Sequence, residues 1–178
     1  TKDTIKDAMC SYKGCVAVKN DGTAVMWEVD YTWTSNTLIY VKPVRTYRDG
    51  PYSTAMCGGN SCVALKSNGI AVSWNSGQEI QRAINVKSVT CGSLLCVAVK
   101  NDGIAVVWTE NDHIEELWLK DTLPNLTNIE SATCGRACVA VKTDQTAVAW
   151  GDPLYGGNTT EVNLTNVKRA MCGGFMCV

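Results

Sequence analysis

Short apolar runs recur along the chain, and turn residues bound each of them. Cys96-Val97-Ala98-Val99-Lys100 is a compact apolar run, too short for a helix. Asn101-Asp102-Gly103 follows, and then Ile104-Ala105-Val106-Val107-Trp108. Apolar positions do not recur at i, i+3 and i+4, so a helical reading fails. The pattern predicts strand, turn, strand, preceded by a third short strand around Cys91. Asp-Gly suits a two-residue type I′ hairpin turn, with Gly22, Gly69 and Gly103 at the position that needs φ > 0. Val at one parity and Ala at the other predicts a sheet covered on both faces.

The same pattern returns at fixed internal length. Full units span 5–27, 52–74, 86–108 and 129–150, and a partial fifth spans 167–178. In every full unit the Trp (Trp27, Trp74, Trp108, Trp150) lies twelve residues after the second cysteine. Successive second cysteines are separated by 47, 34, 42 and 39 residues, so the connectors absorb the variation. The largest connectors are insertions at 28–51 and 109–124. Thr37–Val41 reads as an extra strand, and Asp112–Leu119 as a short helix. In the fourth unit Gln145 stands where the others have Gly, which predicts a strained turn or one of another type. The chain 1–178 reads as a single all-β repeat domain: a propeller-like or open stacked array of short antiparallel sheets, with about four full repeats and a partial fifth.

The order V-x-x-x-x-C-G, then C-V-A-V-K, then D-G-x-A-V-x-W resembles repeats of the regulator-of-chromosome-condensation family and the related propeller of the β-lactamase inhibitory proteins. Ala137 to Gly157, with Trp150-Gly151-Asp152 and Tyr155-Gly156-Gly157, carries the best match. The resemblance implies a β-propeller and leaves function open, because such propellers serve unrelated tasks. A familiar His position of the family is cysteine here. The family also closes rings of more blades than this chain offers.

The ten cysteines form five sequence pairs: Cys10/Cys15, Cys57/Cys62, Cys91/Cys96, Cys134/Cys138 and Cys172/Cys177. Hairpin loops of this length place two cysteines opposite each other, within disulfide reach. The simplest reading is five local disulfides in a disulfide-stapled extracellular variant, which implies an oxidising compartment. Zinc is the sharper alternative, but it needs four ligands per ion and His113 is the single histidine. A redox pair, or bridges between neighbouring units, are further alternatives. Neither a metal nor a cofactor is expected.

Charge and aromatic placement narrow the function classes. Sixteen basic residues face seventeen acidic ones with no basic run, which argues against nucleic acid as a partner. No apolar stretch is long enough for a membrane span. Three sequons, at Asn125, Asn158 and Asn163, predict N-linked glycans on connectors. The four repeated tryptophans read as packing between sheets, with a sugar platform as the alternative. Trp33 and Trp118 lie in the insertions and are better candidates for surface contacts. Lys19, Lys66, Lys100 and Lys142 read as solvated lysines at a strand edge. His113 and the Glu115-Glu116 pair form no convincing acid–base constellation, and no nucleophile or phosphate motif is present. The expectation is a non-enzyme.

These features lead to an expectation of a secreted, extracellular or cell-surface protein. Neither an initiator Met nor a secretory signal begins the chain, which reads as a processed product or a segment. The break at Cys177-Val178, half-way through a unit, can be completed outside this sequence, by the N-terminal region, or by a neighbouring subunit. The last option leads to a glycosylated structural subunit that self-associates into an extracellular fibre, filament or surface coat. The alternative is a discrete propeller module binding a protein or glycan through its connector loops.

Overall fold

A computed structural model describes residues 4–11, 14–30, 40–41, 45–59, 61–75, 78–93, 95–109, 125–157, 164–173 and 177. The proposed helix at 112–119, His113, Glu115, Glu116, Trp33, Trp118, Asn158 and Asn163 lie outside these residues.

The described chain forms four antiparallel sheets in sequence order. The first contains β1 (Ile5–Cys10), β2 (Gly14–Lys19) and β3 (Ala24–Asp30). β4 (Tyr40–Val41) and β5 (Arg45–Tyr47) both pair with β3. The second contains β6 (Tyr52–Gly58), β7 (Ser61–Lys66), β8 (Ala71–Asn75) and β9 (Gln78–Ala83). The third contains β10 (Val86–Cys91), β11 (Leu95–Lys100) and β12 (Ala105–Thr109), and the fourth β13 (Ile129–Cys134), β14 (Ala137–Lys142) and β15 (Ala147–Gly151). No α-helix occurs among the described residues; a single 3-10 turn spans Pro153–Tyr155.

Each unit repeats the same register. The first strand carries an irregularity at its second residue and brings the cysteine pair directly opposite at its far end, as in Cys91↔Cys96, with Gly58↔Ser61 adding one more pair in the second sheet. The extra residue of a bulge increases local twist. The central strand is covered on both faces, as the Val/Ala parity predicts. Its valines pack forward on the next sheet, while its cysteine and alanine pack backward. Val63 and Leu65 thus join Val86, Val89, Cys96, Ala98 and Trp108 in one buried cluster. Val97 and Val99 likewise meet Ile129, Cys134, Cys138, Ala140 and Trp150. Each fully buried valine contributes about 1.5–3 kcal/mol, so the core is a series of dry layers between sheets. The first strands of successive sheets lie against one another.

The hairpin between the second and third strands departs from the two-residue expectation. Gly103 N–H donates to Lys100 O at 3.0 Å, and Lys100 N–H donates to Ile104 O at 2.9 Å. Gly103 has φ 79°, while Asn101 and Asp102 are absent from the positive-φ residues. A type I′ turn needs positive φ at both central residues. The loop is instead three residues long: a type I turn closed by a left-handed glycine. Gln145 adopts the same conformation at φ 65°, so the fourth turn keeps its type and carries the cost of a side chain there.

The lysine expectation also changes. Lys19, Lys66, Lys100 and Lys142 end central strands, not edge strands. Lys66 is buried, ion-paired and hydrogen-bonded to Asp49, and its ammonium lies 5.4 Å from the Tyr52 ring centroid.

Candidate binding faces

The sheets present two ends. At the tip end, all ten cysteines are paired within their own units: Cys10–Cys15, Cys57–Cys62, Cys91–Cys96, Cys134–Cys138 and Cys172–Cys177. Their Cα atoms are 3.9–4.1 Å apart, the close approach of directly opposed strand residues. No thiolate remains for zinc or thiol exchange. Glycine follows the first cysteine in units two to five because sheets nearly touch there. A Cβ on Gly92 would stand 1.9 Å from Gly135 O.

Also at this end, the segment after Trp150 folds into a hydrogen-bonded turn. Buried Asp152 accepts Leu154 N–H at 3.0 Å, and Tyr155 and Gly157 N–H donate to Asp152 O, each at 3.0 Å. The Arg136 guanidinium stacks 4.6 Å from the Tyr155 ring centroid and donates to its hydroxyl at 2.7 Å. Leu154 projects into water.

At the turn end, an Asx side chain organises every hairpin. Asp21, Asn68, Asp102 and Asp144 each accept the N–H two residues on, at 2.9–3.3 Å. Backbone bonding holds Asp21 and Asp102 below the usual carboxylate range, from Thr23 and Ile104 respectively; the Thr146 side chain does so first for Asp144. Burial would raise Asp49, but hydrogen bonds from Lys66 and Tyr52 outweigh it and hold this carboxyl low as well.

Asn125, the sequon asparagine among the described residues, is exposed and accepts the Thr127 hydroxyl at 2.8 Å. The next residue, Leu126, lies along the outer edge of the third sheet, where its carbonyl accepts Ala105 N–H at 2.9 Å. A glycan on Asn125 would leave the sheet faces clear. The repeated tryptophans do not form a platform: Trp74, Trp108 and Trp150 are buried in the interlayer clusters, and Trp27 is half-buried. The indole N–H groups of Trp108 and Trp150 have no partner among the described residues. Among those residues no group of three metal-ligating side chains converges, and no helix is long and apolar enough to cross a membrane.

Neither a protein-family model nor a curated protein sequence matches the chain. Solved structures do. Yeast RCC1 (Prp20), in its complex with Kap60, is 18% identical with a TM-score of 0.65, covering 99% of this chain and 54% of that one. The fold is that of part of an RCC1-like β-propeller. Human WBSCR16 is 17% identical at a TM-score of 0.62, covering 96% of this chain and 57% of that one. The ectodomain of the Physcomitrella patens receptor kinase CR4 is 15% identical at 0.61, covering 94% of this chain and 44% of that one. The chain therefore spans about half the length of the RCC1-like structures it matches. At these identities the likeness concerns the propeller fold alone.

The sequence reading missed two features of these faces. One is the left-handed asparagine before a first strand, seen at Asn85, Asn128 and Asn166 with φ 56–61°. Its signal was an Asn repeated just ahead of Val86, Ile129 and Val167. The other is a side-chain contact between first strands: Asp7 Oδ2 accepts Thr54 Oγ1 at 2.6 Å and Ala55 N–H at 3.2 Å. Nothing within one unit announces it.

Proposed function

We propose that the chain is a non-enzymatic extracellular RCC1-like propeller module that binds a protein partner through its connectors and sheet ends. The observation that carries this reading is the disulfide in every unit. Such dense pairing belongs to an oxidising compartment. The fold likeness to a receptor-kinase ectodomain supports the same setting, and a protein partner is in keeping with yeast RCC1 bound to Kap60. Connectors of unequal length on a repeated rigid frame are the usual place for recognition. The fibre or coat subunit is the second reading; the repeat alone favours it, and no structural contact adds to it.

The test is binding by the disulfide-intact chain to an array of purified ectodomains and glycans. A second chain, in which a short Gly/Ser linker replaces residues 110–124, controls for the loops. Saturable binding to an ectodomain, lost in the swapped chain at unchanged melting temperature, is expected. Binding to glycans alone, or regular filaments of unreduced protein under the electron microscope with no ectodomain bound, would overturn it.

A further inference from the structure

The outer margins of the four sheets are not alike. Tyr47 and Ala83 pair with Ala24 and Ala71, the first residues of β3 and β8. Leu126 and Leu164 meet the corresponding Ala105 and Ala147, whose N–H groups donate to the leucine carbonyls at 2.9 Å in both units. Tyr47, Ala83 and Leu126 each pack against an interlayer cluster. The residue just before them is Thr46 in the first unit, Arg82 in the second, Asn125 in the third and Asn163 in the fourth. Of these four, only Asn125 and Asn163 begin an N-x-T acceptor sequence.

The third sheet packs between the second and the fourth, so Asn125 is seen with both neighbours in place. Leu126 anchors the tripeptide inward, through its carbonyl and its apolar side chain. Asn125 and Thr127, on either side of it, are exposed, as alternate positions of an extended chain are. The Thr127 hydroxyl donates to Asn125 Oδ1 at 2.8 Å, and Asn125 Nδ2 has no hydrogen bond among the described residues. The fold thus uses the oxygen of this amide and leaves its nitrogen in water. N-glycosylation joins that nitrogen to the anomeric carbon of a lipid-pyrophosphate-linked oligosaccharide. One N–H bond and the carbon–oxygen bond to pyrophosphate break; a proton and the lipid pyrophosphate leave. Oδ1 remains a carbonyl acceptor in the product, so the bond from Thr127 survives the modification.

We propose that Asn125 carries an N-linked oligosaccharide and, by the repeat, Asn163 a second, so that carbohydrate covers the outer margin of the third and fourth units and a protein partner approaches elsewhere. A glycan is bulky and strongly hydrated, and it keeps protein surface at a distance. The first and second units, with Thr46 and Arg82 at this position, have no such cover there. The modification rests on the extracellular reading above, because the oligosaccharide is transferred in the secretory pathway. It does not rest on ectodomain binding.

The test is secretion of the full chain from cultured animal cells behind a signal peptide. Peptide N-glycosidase in heavy-oxygen water then converts each glycosylated Asn to labelled Asp, which peptide mass mapping locates. Label at 125 and 163 is expected, and Asn125→Gln or Thr127→Val should each lose it at 125. A secreted chain with no free thiol and no label at 125 would overturn the site and leave the extracellular reading standing. Ten free thiols in the secreted chain would overturn that reading, whatever residue 125 carries. The chain with both Asn125→Gln and Asn163→Gln should bind an ectodomain found in the array above as tightly as the glycosylated chain. Weaker binding at unchanged melting temperature would overturn the exclusion of the partner from this margin. A glycosylated chain that binds no ectodomain keeps the modification and loses the function proposed above, and the role of the margin with it.

Discussion

At the tip end of each sheet a disulfide ties the first strand to the second. At the turn end a backbone carbonyl ties one sheet to the next. Gly22, Gly69, Gly103 and Gln145 O accept the N–H of Tyr52, Val86, Ile129 and Val167 at 2.8–2.9 Å. The same turns also bond to the start of their own unit: Asn20, Ser67, Asn101 and Thr143 N–H donate to Thr4, Pro51, Asn85 and Asn128 O, each just ahead of that unit's first strand, at 2.8–2.9 Å. The covalent tie at the tips stays within a unit, whereas the turns bond both within a unit and on to the next. Between sheets at the tips, close glycine contact takes over that task, with a backbone bond from Ser93 N–H to Gly135 O at 2.9 Å.

The most direct way to break this division is to separate two sheets at the tips. Gly92→Ala drives a methyl group into Gly135 O and should cost about 3 kcal/mol or more by urea denaturation. Its disulfide should stay intact, because that bond lies within one unit. Replacing Cys134 and Cys138 together by Ser removes a short covalent ring and should cost about 2 kcal/mol in the same assay. A loss far above that would mean the tips also carry the contact between units. At the turn end, Asp49→Ala strands the buried Lys66 ammonium. Because Asp49 is about half exposed, the expected loss is about 1–2 kcal/mol, well short of a fully buried pair. Gln145→Gly relieves a left-handed side chain while keeping the carbonyl that accepts Val167 N–H. It should add about 0.5–1 kcal/mol.

The smallest expected effect is in pH. Asp21, Asp102 and Asp144 titrate lower in the folded chain than in the unfolded one. The unfolded chain binds the extra protons, so their contribution is present above the ordinary carboxylate value and is lost as pH falls through the folded values. Asp102→Asn keeps the acceptor, as Asn68 already does, and should flatten the dependence of the urea midpoint below about pH 5.

What could be read in the sequence was local. The cysteine spacing, the turn glycine and the Val/Ala parity all lie within one hairpin, where residue type and geometry are tightly linked. The turn type was misjudged because Asn-Asp-Gly fits both loop lengths, and only the bond from Lys100 N–H to Ile104 O tells them apart. The outer strand Gln78–Ala83 went unseen because its polar residues lack an apolar alternation strong enough to read. Lys66 looked solvated because its partner, Asp49, comes from an insertion outside the repeat. The contact of Asp7 with Thr54 and Ala55 depends on which residues face each other across separate units, and no single unit contains that information.

The tip disulfides also bear on wear. Each closes its loop over four or five positions of chain. A protease that cut between Cys57 and Cys62, or between Cys91 and Cys96, would open a peptide bond without releasing a fragment. The nicked chain would run as one species on a non-reducing gel and separate into two when reduced. In an environment rich in proteases and free of reductant, these loops can be damaged while the molecule remains covalently whole.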